Sequence, residues 1–167
     1  MSADETPWTR GELTIDAGVL REIEAHAKET YPSECCGFVT GPASDMARLD
    51  RAIRADNEAD RYHELDPERF PRTSRTYFKI NELKAARAFD RQREDGQPIK
   101  VIYHSHCAAG AYFSAEDAAT FSSRGVLMWP CAFIVVSVQD GEVVDRKLWV
   151  HRTGSDEFDE SPLRVAS

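Results

Sequence analysis

Several classes of protein are excluded by what the sequence has little of. Only four cysteines occur, and they form neither a C-x-x-C pair nor an even ladder of spacings. We therefore expect reduced thiols instead of a disulfide framework, and no purely thiolate zinc site. No apolar run is long enough to cross a membrane, and the opening stretch MSADETPWTR lacks the basic and apolar regions of a signal peptide. These absences predict a cytoplasmic protein that does not bind a membrane.

The chain also has fewer basic than acidic residues. The chain has 29 acidic residues against 21 lysines and arginines, a formal net charge of −8. This balance argues against a nucleic-acid partner, because phosphates need a basic face. The middle of the chain is nevertheless rich in arginine, which we interpret as a solvated surface with interspersed acids, the alternative being an anion-binding or partner-docking strip. The arginines concerned are Arg48, Arg51, Arg54, Arg61, Arg69, Arg72 and Arg75.

The length of the chain predicts a single domain. Its 167 residues, 41% hydrophobic and 30% charged, are enough to bury a core without disulfide or metal cross-links. Both ends are polar, acidic or proline-bearing, which is typical of segments that fray. We therefore predict a flexible N-terminus at residues 1–12, one folded domain at 13–152 and a flexible C-terminal tail at 153–167.

Hydrophobic periodicity predicts a mixture of helices and strands. The expected elements are helices over 17–29, 82–95 and 114–124, and strands over 35–41, 48–54, 99–106 and 131–138, with the rest of 46–79 as loop or extended chain. The second helix is expected to turn inward the row formed by Leu83, Ala86, Arg87 and Asp90. A turn at residues 139–142 predicts an antiparallel hairpin. Together these elements indicate an α+β or mixed-sheet α/β sandwich.

The stretch HSHCAAGAYFSAED, residues 104–117, carries the clearest chemical signal. His104 and His106 are two apart on a strand and project from the same face, while Ser114 and Asp117 are three apart at a helix start and share one face. They surround one point if the loop at 107–113 folds the helix back onto the strand. Two imidazoles and a carboxylate suit a catalytic zinc ion, one per chain, with water as fourth ligand. Such an ion lowers the pKa of bound water from about 15.7 to roughly 7, which indicates hydrolysis.

A hydrolase of this kind also needs a general base, and a carboxylate is the usual choice. Glu34 is the best remaining candidate because it stands just before an apolar strand, where polar groups can enter a cleft, although spacing alone does not select it over other acids. Simpler interpretations exist for each residue. Taken singly, His104 and His106 are explained as surface or hydrogen-bonded histidines, Ser114 and Asp117 as a helix cap, and Glu34 as an exposed acid beside a proline turn.

The combined pattern is His-x-His, seven intervening residues, Ser-x-x-Asp, and an upstream glutamate within Glu-Cys-Cys-Gly-Phe. It resembles the JAMM motif of the MPN-plus (Mov34/PAD-type) zinc metalloproteases. The resemblance implies an α/β/α-like sandwich with a mixed, mostly antiparallel central sheet, of the cytidine-deaminase-like type. It also implies that His104, His106 and Asp117 bind zinc, that Glu34 carries a proton from water to the leaving amine, and that Ser114 stabilises the oxyanion.

One position departs from this family pattern. Cys107 stands where the family often has proline. The thiol is explained either as a small buried residue or as an oxidation-sensitive group that occasionally binds the ion.

The segments ECCGF and GAYFS are similar to small prokaryotic members of the family, which are associated with ubiquitin-like sulfur-carrier proteins. The resemblance therefore implies a metallopeptidase or isopeptidase that cleaves after a C-terminal Gly-Gly tail, with the loop at 107–113 lining a groove for the tail. The alternative is a non-catalytic MPN-type module that binds a ubiquitin-like partner. A nucleobase deaminase is disfavoured because the chain lacks H-x-E and P-C-x-x-C.

Overall fold

The chain alternates helices and strands around one central sheet. The computed structural model describes residues 6–167. The strands are β1 (Leu13–Asp16), β2 (Cys36–Thr40), β3 (Arg48–Leu49), β4 (Arg51–Ala55), β5 (Ile99–Cys107), β6 (Ser122–Ser123), β7 (Val126–Leu127), β8 (Ala132–Gln139), β9 (Glu142–His151), β10 (Phe158–Ser161) and β11 (Leu163–Ala166). The helices are a 3-10 turn (Pro7–Arg10), α1 (Ala17–Thr30), α2 (Ala59–Leu65), α3 (Glu82–Glu94) and α4 (Ala115–Phe121).

Six strands form the central sheet in the order β10-β9-β8-β5-β2-β4. Only the β5 and β8 pair is parallel, and the other neighbouring pairs are antiparallel. The hairpin between β8 and β9 turns at Asp140 and Gly141, whose φ angles of 52° and 79° are those of a type I′ turn. A separate parallel sheet has the order β11-β1-β3. The structure thus confirms the α+β class with a mixed, mostly antiparallel sheet.

Two apolar clusters cover the two faces of the central sheet. Helix α1 packs on one face through the predicted stripe of Val19, Leu20, Ile23 and Ala27. The other face carries α3 and a group of aromatic side chains. Cys35 belongs to the first cluster and Cys36 to the second, because successive residues of a strand point to opposite faces. All four cysteines are free thiols.

The buried side of α3 differs from the prediction. Ala85, Phe89 and Gln92 face inward, whereas Leu83 is 59% exposed. The two large apolar residues of this helix, Leu83 and Phe89, are six positions apart and cannot share one face. Phe89 takes the inward position because its larger ring meets Phe38 edge-on at 5.9 Å and stacks on a tryptophan at 5.1 Å.

The ends of the chain also differ from expectation. Residues 153–167, predicted to be a flexible tail, contain β10 and β11, which pair with the edges of β9 and β1. Their polar composition suggested fraying, but the two edges supply backbone partners and Phe158 packs against Phe113 at 4.3 Å between ring centres. At the other end, residues 1–5 of the predicted flexible segment lie outside the described residues, and Pro7–Arg10 form the 3-10 turn.

Two helical segments differ from the prediction. Helix α2 lies where a loop was expected, because only Ala59 of this polar segment is buried and no apolar stripe marks it. The helix predicted over 114–124 ends at Phe121, and Ser122 begins the short strand β6. None of the helices within residues 6–167 combines the length and hydropathy needed to cross a membrane.

Candidate metal centre

Two histidines project side by side from the end of β5. His104 is completely buried and His106 is 5% exposed, and their Nε2 atoms are 3.2 Å apart. Ser105, between them, points away and accepts a hydrogen bond from the Cys35 backbone N–H at 2.8 Å. The strand alternation therefore turns both imidazoles towards one point, as the sequence predicts.

Helix α4 brings a carboxylate to the same point. Asp117 Oδ2 lies 3.0 Å from His104 Nε2 and 3.2 Å from His106 Nε2. Ser114 Oγ accepts a hydrogen bond from the Asp117 backbone N–H, and Asp117 Oδ2 accepts one from the Ser114 N–H, both at 3.0 Å. The helix cap and the carboxylate site are therefore one structure, because the cap itself holds Asp117 against the histidines.

The spacing of these three atoms fits a small tetrahedral ion. Zinc bonds of about 2.0–2.1 Å place neighbouring ligand atoms of a tetrahedron about 3.3 Å apart, close to the 3.0–3.2 Å found here. His106 Nδ1 donates to the Gly110 carbonyl at 2.8 Å, which leaves the Nε2 lone pair facing the centre. The His104 ring is held differently: it stacks on Phe78 at 4.3 Å, and its Nδ1 has no hydrogen-bond partner within residues 6–167.

The electrostatics of the three residues also favour a cation. Burial opposes ionisation of Asp117, but the imidazoles of His104 and His106 outweigh it and hold the pKa of this carboxyl well below its usual range. Burial likewise opposes a charge on His106, yet the Asp117 carboxylate raises the pKa of that imidazole. Asp117 therefore provides a fixed negative charge that attracts a positive ion between the rings.

Glu34 lies beside this centre. In the antiparallel pairing of β2 with β5, Cys36 stands opposite His104, so extending the register by two residues puts Glu34 opposite His106. The side chain is almost fully buried, at 5% exposure. Burial raises the pKa of Glu34 to about 8, with His106 opposing the shift. A carboxyl with a pKa near neutrality is suited to both accepting and releasing a proton.

A cleft of about 150 Å³ joins these groups. Its walls include all of the predicted site residues except His104, which is completely buried. Cys107 also lines the cleft but is not part of the group of three candidate ligands. Burial raises the pKa of its thiol to about 11, with Glu34 adding to the shift, which favours the protonated thiol at neutral pH.

The sequence analysis missed the residues that hold Glu34 in place. Asn57 Nδ2 donates to the carbonyls of Glu34 at 2.9 Å and Tyr77 at 3.0 Å. The Glu34 N–H donates to the Ser74 carbonyl at 2.7 Å, and Ser74 is fixed in turn by Asp60. The polar character of Asn57 and Ser74 suits loops in general, so no local signal connects either of them to the distant Glu34.

These features define a class: an α+β protein with a two-histidine, one-aspartate centre at a sheet end, suited to zinc and accompanied by a buried acid. The chain matches the family described as prokaryotic homologs of the JAB domain over residues 16–151. It belongs to that family, which confirms the resemblance to the JAMM and MPN proteins.

Relatives and solved structures agree with this assignment. A protein of Mycobacterium tuberculosis (strain ATCC 25618 / H37Rv), named CysO-cysteine peptidase, is 34% identical over 108 residues, which are 63% of this chain and 62% of that protein. The match thus spans less than two thirds of the relative. A solution structure from Desulfitobacterium hafniense has a TM-score of 0.67 at 22% identity, covering 92% of both chains. A JAB1/MPN domain protein from Archaeoglobus fulgidus has a TM-score of 0.56 at 17% identity, covering 93% of this chain and 100% of that one. These two structural likenesses concern the fold.

Proposed function

We propose that the protein is a zinc-dependent metallopeptidase that hydrolyses the peptide or isopeptide bond after the C-terminal Gly-Gly tail of a ubiquitin-like or sulfur-carrier protein. The observation that carries the proposal is the convergence of His104, His106 and Asp117 to within 3.0–3.2 Å of one another, in a cleft that also holds Glu34. The relative named CysO-cysteine peptidase supports a peptidase acting on a carrier protein.

The metal would be held by Nε2 of the two histidines and Oδ2 of Asp117, which leaves a fourth position open. When bound there, zinc supplies Lewis acidity for water and for the scissile carbonyl. Tyr112, 50% exposed, stands at the mouth of the cleft with its ring edge-on to His106 at 5.1 Å. A cleft of about 150 Å³ suits a tail without side chains, which is the property of Gly-Gly.

Glu34 is the proton carrier in this proposal. It accepts a proton from the attacking water as the oxygen forms a bond to the carbonyl carbon, and it delivers that proton to the nitrogen as the C–N bond breaks. The water thus ends as OH on the new carboxyl group and H on the released amine. The polar contacts that fasten the Glu34 backbone to Asn57 and Ser74 hold this group beside the centre.

Ser114 is the proposed oxyanion donor. Its oxygen already accepts the hydrogen bond that caps α4, but no acceptor for its hydroxyl hydrogen is present in the described part of the chain. The O–H therefore stays available to a developing negative charge in the cleft.

The loop at 107–113 forms one wall for the tail. It is held down by contacts to the central sheet: the Ala108 N–H donates to the Val138 carbonyl at 2.9 Å and Trp149 Nε1 donates to the Ala111 carbonyl at 2.9 Å. A wall fixed in this way offers an extended tail a preformed surface, which lowers the entropic cost of binding.

Intact-mass spectrometry tests the proposal. Zinc-loaded protein is incubated with carrier and ubiquitin-like proteins that are extended beyond Gly-Gly, and Glu34→Gln serves as the matched variant. We expect cleavage after Gly-Gly by the wild type alone, with about one zinc per chain in both proteins, since Glu34 is not a ligand. Zinc-loaded wild type that binds these proteins without cutting any would instead support the non-catalytic module.

A further inference from the structure

Two arginines stand on the wall of the cleft and have no role in the chemistry described above. Arg72 and Arg75 line the same cavity as Glu34, His106 and Asp117. They are the last two members of the arginine run, which was interpreted from sequence as a solvated surface. For these two residues the alternative, a strip that binds an anion, fits their position better.

The segment that carries these arginines is hydrogen-bonded to the backbone of Glu34, the proposed base. Ser74, between them, is buried and accepts a hydrogen bond from the Glu34 N–H at 2.7 Å. Its own N–H and hydroxyl donate to the two carboxylate oxygens of Asp60 at 2.7 and 2.8 Å. The backbone that supports the arginines is therefore held in a fixed relation to Glu34.

The two guanidinium groups differ in their partners. Arg72 Nη2 donates to Glu116 Oε1 at 2.8 Å, and Glu116 precedes the candidate ligand Asp117 on α4. The charge of Arg72 is thus largely balanced. Arg75 forms no ion pair with any acidic residue from 6 to 167, although its charge acts on Asp60, and its side chain lines the cleft. An anionic group of a substrate would give Arg75 an ion-pair partner in the cleft.

We propose that Arg75, flanked by Arg72, binds the free C-terminal carboxylate of a single amino acid that follows Gly-Gly in the substrate. This inference rests on the proposed peptidase function and on the relative named CysO-cysteine peptidase, and it adds the residue that recognises the leaving group. A single residue spans at most about 3.6 Å, so its carboxylate stays within the cleft when its amide lies at the centre. Planar guanidinium donors match a carboxylate.

The arginines thereby set specificity. An amino acid with a free carboxyl group gives Arg75 an ion-pair partner in the cleft, whereas a longer extension or an isopeptide-linked protein does not. Charge-assisted hydrogen bonds of this kind change affinity by roughly tenfold or more. Arg75 would thus be the residue that favours a one-residue extension over a large conjugate.

The test uses a ubiquitin-like protein ending in Gly-Gly-Cys, prepared as the free acid, as the C-terminal amide and with five further uncharged residues. For zinc-loaded wild type we expect kcat/KM on the acid to exceed that on the amide by about tenfold or more. Arg75→Ala should bring the acid-to-amide ratio near one, and Arg75→Lys should restore part of it. Arg69→Ala is the matched control, since Arg69 is an exposed arginine over the Phe70 ring and does not line the cleft.

A second readout is the binding of the acid and amide forms to the Glu34→Gln protein, which should favour the acid unless Arg75 is also replaced. Equal cleavage of acid and amide by the wild type, unaltered in Arg75→Ala, would overturn the role of the arginine and leave the peptidase proposal intact. Failure to cleave any of the three forms would count against the peptidase, and the binding comparison would then decide the carboxylate site by itself.

Discussion

Ser114 combines a structural and a proposed chemical role, and substitutions at this position separate the two. Its oxygen caps the seven-residue helix α4 by accepting the Asp117 N–H at 3.0 Å. Replacing a capping serine with alanine costs about 0.5–2 kcal/mol, whereas glycine costs only a few tenths. Removing an oxyanion donor lowers kcat by about 10²–10³-fold. Ser114→Ala should therefore lose both, and Ser114→Gly should lose kcat with little loss of stability.

Ser114→Thr is the matched control, because it keeps a hydroxyl that can both cap and donate. The free energy of unfolding is measured in urea, and kcat is measured at saturating substrate with zinc bound. The Ser114 backbone N–H contact to Asp117 Oδ2 remains in every variant, so zinc content should stay at one per chain. A Gly variant with kcat near wild type beside a much slower Ala variant would refute the reasoning, since the cap and not the hydroxyl would then govern turnover.

Two further predictions concern stability. His26 is buried and forms a hydrogen bond with the Tyr103 hydroxyl at 2.7 Å, and burial lowers the pKa of its imidazole. Below about pH 6.5 the unfolded chain therefore binds more protons than the folded protein. The free energy of unfolding should accordingly be greatest above that pH and fall on acidification. Urea titrations at several pH values should give a shallower fall for His26→Gln. Lys100, completely buried, donates to three backbone carbonyls at 2.6–3.1 Å, and Lys100→Met should cost about 2–4 kcal/mol. Exposed Lys84→Met is the control, and an equal loss in both variants would contradict this account.

Features set by neighbours in sequence were predictable. The stripe of α1, the strand β5 and the turn at Asp140 follow from periods and turn preferences that act over a few residues. The same is true of the histidine pair, where residues two apart share a strand face, and of the Ser114 cap. The candidate metal centre is therefore encoded almost entirely within residues 104–117, apart from the fold of the loop that closes it.

Features that join distant residues were decided by the tertiary structure. Glu34 became distinct from other acids only when β2 paired with β5 and Ser74 bonded to its backbone, and the inward face of α3 was chosen by the ring of Phe89. The acidic C-terminal segment became β10 and β11 because two sheet edges were open to it. Local sequence thus determined the positions of the three candidate ligands, while long-range pairing determined their surroundings. Backbone partners and buried contacts exist only once the chain has packed.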